Sequence, residues 1–229
     1  MTALPLTIRG PEDLVAIVPM AQPTRDRLAR YAALLIKWQR SINLVAPKTL
    51  PDLWSRHMAD SLQIATLIPS NTRKIADLGA GAGFPGLVLA AYFADTETSP
   101  CPTVTLVESD RRKAAFLREA ARIMEISVEI LSTRIENDAN LNALRDIDVF
   151  TARALAPLSR LFEFVAPYHV GDRQGARTCI FLKGRQAPKE IEDARKAGWV
   201  FDVTMHPSKT DTDASIVVVE HLELNTRSD

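Results

Sequence analysis

The chain has 229 residues, 46% of them hydrophobic and 24% charged, a balance that excludes a disordered protein and allows a sizeable buried core. Its 28 basic residues match its 28 acidic ones, so no bulk field draws the whole molecule to nucleic acid or membrane, although a basic face can hide in a balanced total. Two cysteines, Cys101 and Cys179, make neither a metal-ligand spacing nor a disulfide framework, and no metal is expected.

The N-terminus carries Arg9, Glu12 and Asp13 beside its first apolar residues, so it lacks a signal-peptide core, and no uninterrupted apolar stretch reaches spanning length. Together with low cysteine use this gives a cytoplasmic protein with no membrane partner as the expectation. Residues 1 to 22 are broken by Pro5, Gly10, Pro11 and Pro19, with a short helix predicted over 12–18. Thr24 then reads as the cap of a long amphipathic helix, with Leu28, Tyr31, Leu34, Leu35, Trp38 and Ile42 at helical spacing. A second helix is predicted from about 50 to 67. On it Arg56 and Asp60, and likewise His57 and Ser61, stand four apart on one face, where packing between helices is the expected role and a lone histidine implies no metal.

From residue 73 the pattern alternates. Strands are predicted over 73–78, 103–108, 127–131, 147–152, 177–183, 199–205 and 214–222, with helices over 86–93, 110–124, 157–168 and 187–197. This is the signature of an α/β, Rossmann-like, seven-stranded and mostly parallel sheet with helices on both faces. The last two strands lack a clear helix between them and are expected to pair antiparallel. The polar stretch 95–103 reads as a loop. The expected organisation is a helical extension over residues 1–70, packed on a larger domain over 71–229.

Asp77-Leu-Gly79-Ala-Gly81-Ala-Gly83-Phe-Pro-Gly86 joins the first strand of that domain to its helix. A strand, a glycine turn and a helix let backbone approach a nucleotide-like ligand closely. Asp77 precedes the turn, and Glu108 closes the next strand. Two acids at consecutive strand ends suit a ligand with an amino group and a ribose diol, and S-adenosylmethionine is such a ligand. Gly81, Gly83 and Gly86 also satisfy the dinucleotide pattern G-x-G-x-x-G, so a nicotinamide-dependent oxidoreductase is the alternative. The acid before the loop and Pro85 at the helix start, where it removes an amide a pyrophosphate would use, favour the methyl donor. A non-catalytic, donor-binding assembly factor is a third reading.

The fourth strand ends Asp148-Val-Phe-Thr-Ala-Arg153-Ala-Leu-Ala-Pro157. It lacks the Asn/Asp-Pro-Pro-aromatic pattern of enzymes that methylate exocyclic amines, and neither cysteine sits where a nucleophile would activate a pyrimidine carbon. An acceptor that is already nucleophilic fits, and guanine N7 meets that description. Arg153 is the candidate at this strand end, for the donor carboxylate, an RNA phosphate or a guanine edge, with a structural ion pair as the alternative. Arg134, Ile135 and Glu136 follow strand three, where an adenine would rest. Lys183 and Arg185, with Lys113 and Lys189, and less so Arg111, Arg112 and Arg118, are candidates for RNA phosphates.

Several segments in order carry a resemblance: Trp38-x(4)-Asn43-Leu44, Arg56-His57-x-x-Asp60-Ser61-Leu62, the glycine loop 77–86, Glu108-Ser109 with Lys113 and Phe116-Leu117, Arg134-x-Glu136, Arg153-Ala154 and Leu182-Lys183-Gly184. With them the chain resembles the bacterial 16S rRNA 7-methylguanosine methyltransferases of the RsmG (GidB) family, across roughly residues 30 to 190. The resemblance implies a class I S-adenosylmethionine-dependent methyltransferase acting on guanine N7 at position 527 of 16S rRNA, in the family's usual nucleotide numbering, within the small ribosomal subunit or its assembly intermediate. It also implies that Gly79 and Phe84 line the donor site, that Ile135 and Glu136 contact its adenosine part, and that Arg153 lies beside the reaction centre. Ala152 stands where the family commonly has serine.

Overall fold

The computed structural model describes residues 6–96, 101–137, 140–169 and 177–224. Seven strands, β1 (Lys74–Leu78), β2 (Thr103–Val107), β3 (Glu129–Leu131), β4 (Val149–Arg153), β5 (Thr178–Lys183), β6 (Trp199–Pro207) and β7 (Ser215–Leu224), form one sheet in the order β3-β2-β1-β4-β5-β7-β6. The first five run parallel, and β7 lies antiparallel between β5 and β6, as expected for the last pair. The chain leaves β1 for β2 on one side and later returns to β4 on the other. Such a reversal opens a crevice at the carboxyl ends of β1 and β4. In that register Asp77 stands between Leu106 of β2 and Thr151 of β4.

The parallel strands β1, β2, β4 and β5 are buried on both faces, which explains their near-continuous apolar runs, whereas β3 at the sheet edge is only partly buried. One face is covered by α1 (Gln22–Gln39), α3 (Gly86–Phe93) and α4 (Arg111–Met124), the other by α6 (Leu158–His169) and α7 (Ala187–Lys196). Two short helices, α2 (Asp60–Leu62) and α5 (Asn140–Ala143), are also present among the described residues; the second carries no clear periodic signal in the sequence.

The apolar stripe of α1 buries Leu28, Tyr31, Ala32 and Leu35, and shares one continuous core with α3 and α4. Tyr31 packs 5.4 Å from Phe84 and 6.2 Å from Phe116, and Trp38 packs 5.6 Å from Phe116. Arg27 and Arg30 donate to the carbonyls of Met124 and Ile123, at 2.9 Å each. Cations there satisfy the open end of α4 and its negative dipole pole. At its other end Asp110 caps the amides of Arg112 and Lys113.

Two expectations for the head need correction. Thr24 is not the cap of α1: the helix starts at Gln22, with Pro23 in its first turn, and the Thr24 hydroxyl donates to Asp95 at 2.7 Å. The predicted helix over 50–67 is not one regular helix. It is a π-helical turn over Trp54–Ala59, the short α2, and a 3₁₀ turn over Gln63–Leu67. The wider turn alters which side chains share a face, so spacing by fours no longer places Arg56 and His57. The centre of the predicted 95–103 loop lies outside the described residues.

Candidate methyl-donor and acceptor site

The carboxyl ends of β1, β2 and β4 surround two adjoining cavities. The smaller, of about 370 Å³, lies between the glycine loop, the end of β2 and the segment after β3, where Glu108, Ile135 and Glu136 line it. The larger, of about 720 Å³, lies between the glycine loop, the head segment 44–60, the end of β5 and the β6–β7 connection. Gly79, Gly81, Lys113, Ala154 and Leu155 border both. Cavities of these sizes are typical of small-molecule sites.

Gly79 and Gly81 have φ of 64° and 56°, the left-handed region that glycine enters without steric penalty. A Cβ at Gly79 would stand 2.5 Å from Leu155, the side chain that roofs the junction of the two cavities. Gly83 serves packing instead. It borders neither cavity, and a Cβ there would meet Leu87 at 2.4 Å and the Tyr31 hydroxyl at 3.0 Å. Tyr31 in turn donates to the Ala82 carbonyl, so the head helix holds the outer arm of the loop. Phe84 borders the larger cavity and not the smaller.

Glu108 reaches back across the loop. Its Oε2 accepts from the Gly81 amide at 2.8 Å and its Oε1 from the Asp110 amide at 2.7 Å. Each oxygen keeps a second lone pair, and the carboxylate borders the smaller cavity. Ile135 and Leu155 give that cavity apolar walls. Glu136 borders it with a half-exposed carboxylate paired to Arg160 at 3.0 Å.

Asp77 is where the structure revises the sequence reading. Its side chain does not reach either cavity: it is fully buried, Oδ2 accepting from the Gly86 amide at 2.9 Å and Oδ1 from the Thr151 hydroxyl at 3.0 Å. Burial pushes its carboxyl up to about 7, against the opposing influence of those two bonds and the Arg153 charge. Asp77 therefore ties β1, β4 and the start of α3 together, and its side chain lies outside both cavities. It also fills the position at the α3 N-terminus that a pyrophosphate would need, and the Leu87 amide already bonds to Gly83.

Arg153, at the end of β4, borders the larger cavity and is mostly buried. Its Nη1 donates to the Arg56 carbonyl at 2.8 Å and to Asp60 at 3.3 Å, and its Nη2 lies 2.6 Å from His57 Nδ1. The guanidinium also sits 5.0 Å from the Phe84 ring centre, a cation–π contact. The Arg-His-x-x-Asp motif was visible in the sequence as a helical face; that it closes around Arg153, almost a hundred residues away, was not. The next residue, Ala154, has φ of 53°, a strained conformation for alanine that no glycine in the sequence signals.

The two residues proposed for RNA part company. Lys183 is not available to a phosphate in this arrangement, because its Nζ bonds the Ala156 carbonyl at 2.6 Å and Glu190 at 2.7 Å in a largely buried setting. Glu190 also accepts the Leu158 amide at 2.8 Å, so the pair anchors the segment after β4 that borders both cavities. Arg185 is exposed, with a solvent-screened partner in Asp213 at 3.0 Å. Lys113, whose helix neighbours read as ordinary surface charge, borders both cavities. Among the described residues there is no group of three or more metal-ligating side chains, and no helix is long and apolar enough to cross a membrane.

This sheet order, with its reversed last strand and a glycine bend after β1, is that of a Rossmann-like methyltransferase fold. A putative O-methyltransferase from Klebsiella pneumoniae is similar to the chain at a TM-score of 0.57, with 10% identity over 90% of this chain and 93% of that one. A structure of MtNAS in complex with S-adenosylmethionine is similar at 0.52, with 16% identity over 91% and 77%. The family model for rRNA small subunit methyltransferase G (GidB) matches residues 24–215, and the chain belongs to that family. Relatives bearing that description include one from Paramagnetospirillum magneticum, 50% identical over 88% of this chain and 91% of its own length. Another, from Rhodospirillum rubrum, is 43% identical over 90% and 95%.

Proposed function

We propose that the protein transfers the methyl group of S-adenosylmethionine to N7 of a guanine in 16S rRNA, at position 527, in the cytoplasm. The substrate is the small ribosomal subunit or its assembly intermediate. Family membership supports the reaction class and the rRNA acceptor. The observation that carries the choice of donor is the occupied α3 N-terminus. Asp77 takes the Gly86 amide that a dinucleotide's pyrophosphate would need, while Glu108 offers unspent acceptor capacity to a ribose diol.

The residues present fit the donor. Glu108 would hold the ribose, Ile135 and Leu155 would enclose the adenine, and the backbone around Gly79 and Gly81 would follow the methionine part. When bound, S-adenosylmethionine supplies a methyl group made electrophilic by its sulfonium. The protein's own task is then positioning. Guanine N7 presents a lone pair without losing a proton, so no general base is required. His57, with both ring nitrogens engaged, is not placed to act as one. Phe84 and Leu155 give the larger cavity apolar walls that exclude water, and Arg153 brings a fixed cation to the acceptor side. Lys113 and Arg185 add phosphate contacts that position RNA without choosing the base.

The test is transfer of tritium from labelled donor to purified small subunits that lack the mark, with borohydride–aniline scission locating the product. Label on one guanine, cleavable at N7, is the expected result. Donor binding without any transfer would favour the non-catalytic module, and binding of NAD(H) in place of the donor would overturn the reading.

A further inference from the structure

His57 takes no part in the chemistry proposed above, yet it is buried in the wall of the acceptor cavity with both nitrogens bonded. Its hydrogen bonds can be assigned from chemistry alone. Arg153 has only donors, so the 2.6 Å contact from its Nη2 makes His57 Nδ1 an acceptor. The ring proton must then sit on Nε2, which lies 2.8 Å from the Thr49 hydroxyl oxygen. That hydroxyl gives its single proton to the Ala46 carbonyl, 2.8 Å away, and so can accept from His57. Every donor in the chain meets one acceptor, in one direction, from β4 to the 3₁₀ turn Pro47–Thr49 of the head.

The setting enforces this state. Burial and the neighbouring charges of Arg153 and Arg56 push the imidazole down to about 3, so it stays neutral at working pH. Its ring lies 5.1 Å from that of Phe84, on which Arg153 also rests. Among the described residues, the bonds from Arg153 to Arg56, Asp60 and His57 account for three of its five N–H groups. The Nε–H and the second Nη2–H remain for a ligand at the cavity wall.

We infer that His57 is a positioning residue: held as the Nε2–H tautomer between Arg153 and Thr49, it uses its Nδ1 to fix the Arg153 guanidinium so that the remaining N–H groups of Arg153 serve the acceptor. This rests on Arg153 acting at the acceptor side. The relay itself can be read without any substrate.

Two-bond ¹⁵N–¹H correlation of histidine-labelled protein, with His57 assigned from its loss in His57→Asn, should show a neutral ring protonated on Nε2 at pH 7. A ring protonated on Nδ1, or an imidazolium, overturns the inference whatever the protein methylates. Thr49→Val removes the acceptor and should move the Nε2 and Hε2 signals as that hydrogen bond is lost, with Nδ1 still unprotonated beneath Arg153; unchanged signals count against the relay. In the methyl-transfer assay His57→Asn, whose amide oxygen replaces Nδ1, should stay within about threefold of the parent. His57→Gln keeps the group facing Thr49 but withdraws the acceptor, and turnover should fall at least about tenfold with donor affinity unchanged. Equal turnover in the two variants, with matched melting temperatures, would reduce His57 to packing. An Nε2–H ring in a protein that transfers no methyl to RNA would leave the relay standing and sink the proposed function instead.

Discussion

Replacing Asp77 by asparagine separates a structural carboxyl from a ligand contact. The folded carboxyl titrates at about 7 against an ordinary value of 3.8, chiefly because it is buried. Between those two values the folded chain holds a proton that the unfolded chain has released, so stability falls as pH rises through this window. At about 1.4 kcal/mol for each tenfold change in proton affinity, the loss reaches roughly 4 kcal/mol by pH 8. Asparagine carries no such charge and reproduces the bonds of the protonated acid. Its Oδ1 accepts the Gly86 amide, its Nδ2 donates to Thr151, and the Thr151 hydroxyl turns to the Ala76 carbonyl, 3.5 Å away. Urea unfolding of both proteins from pH 4 to 8 should give a stability difference that grows by about 4 kcal/mol in favour of Asp77→Asn. Donor affinity by calorimetry should stay within about threefold. A flat difference curve would refute the burial argument, and a tenfold or greater loss of donor affinity would return the carboxylate to the ligand's amino group.

Three further outcomes are expected. Gly79→Val places a side chain at φ 64° and against Leu155, so donor affinity should drop at least tenfold by calorimetry while the melting transition survives at a cost of about 1–2 kcal/mol. Arg153→Ala should lower turnover by about a hundredfold and donor affinity by less than about threefold; equal losses in both would assign Arg153 to the donor carboxylate. Arg185→Ala should reduce the salt slope of RNA binding by about 1, whereas Lys183→Met should leave the slope unchanged and lower the melting temperature, because Lys183 is committed to Glu190 and Ala156. Filter binding across a salt series reads both.

The sheet was legible because its strands are apolar runs bounded by turn residues, and β1, α3 and β2 fall within a residue or so of their predicted bounds. The glycine bend was legible for the same reason that it matters: only glycine enters φ 64° and 56° without penalty. What escaped is whatever depends on direction rather than spacing. Asp77 was placed correctly at the end of β1, but strand position does not say that its carboxylate turns under the loop to Gly86 instead of outward. Lys183 looked like a cation at the mouth because its partner, Glu190, lies on the next helix, where no local pattern links them. The π-helical turn over Trp54–Ala59 displaced Arg56 and His57 from the face that regular spacing assigned. Ala154 adopts a left-handed backbone at the edge of both cavities with no glycine to announce it, a form of strain concentrated at functional sites.

The central claim is a sulfonium donor in the bend after β1, facing a guanine of the small-subunit rRNA. It is tested most directly by mapping 7-methylguanosine in rRNA from cells with the gene, without it, and with the gene carrying Gly79→Val. One N7-methylated guanine at position 527 of 16S rRNA should be present in the first and missing from the other two. A mark that persists without the gene, or that the Gly79→Val protein restores in full, would contradict it.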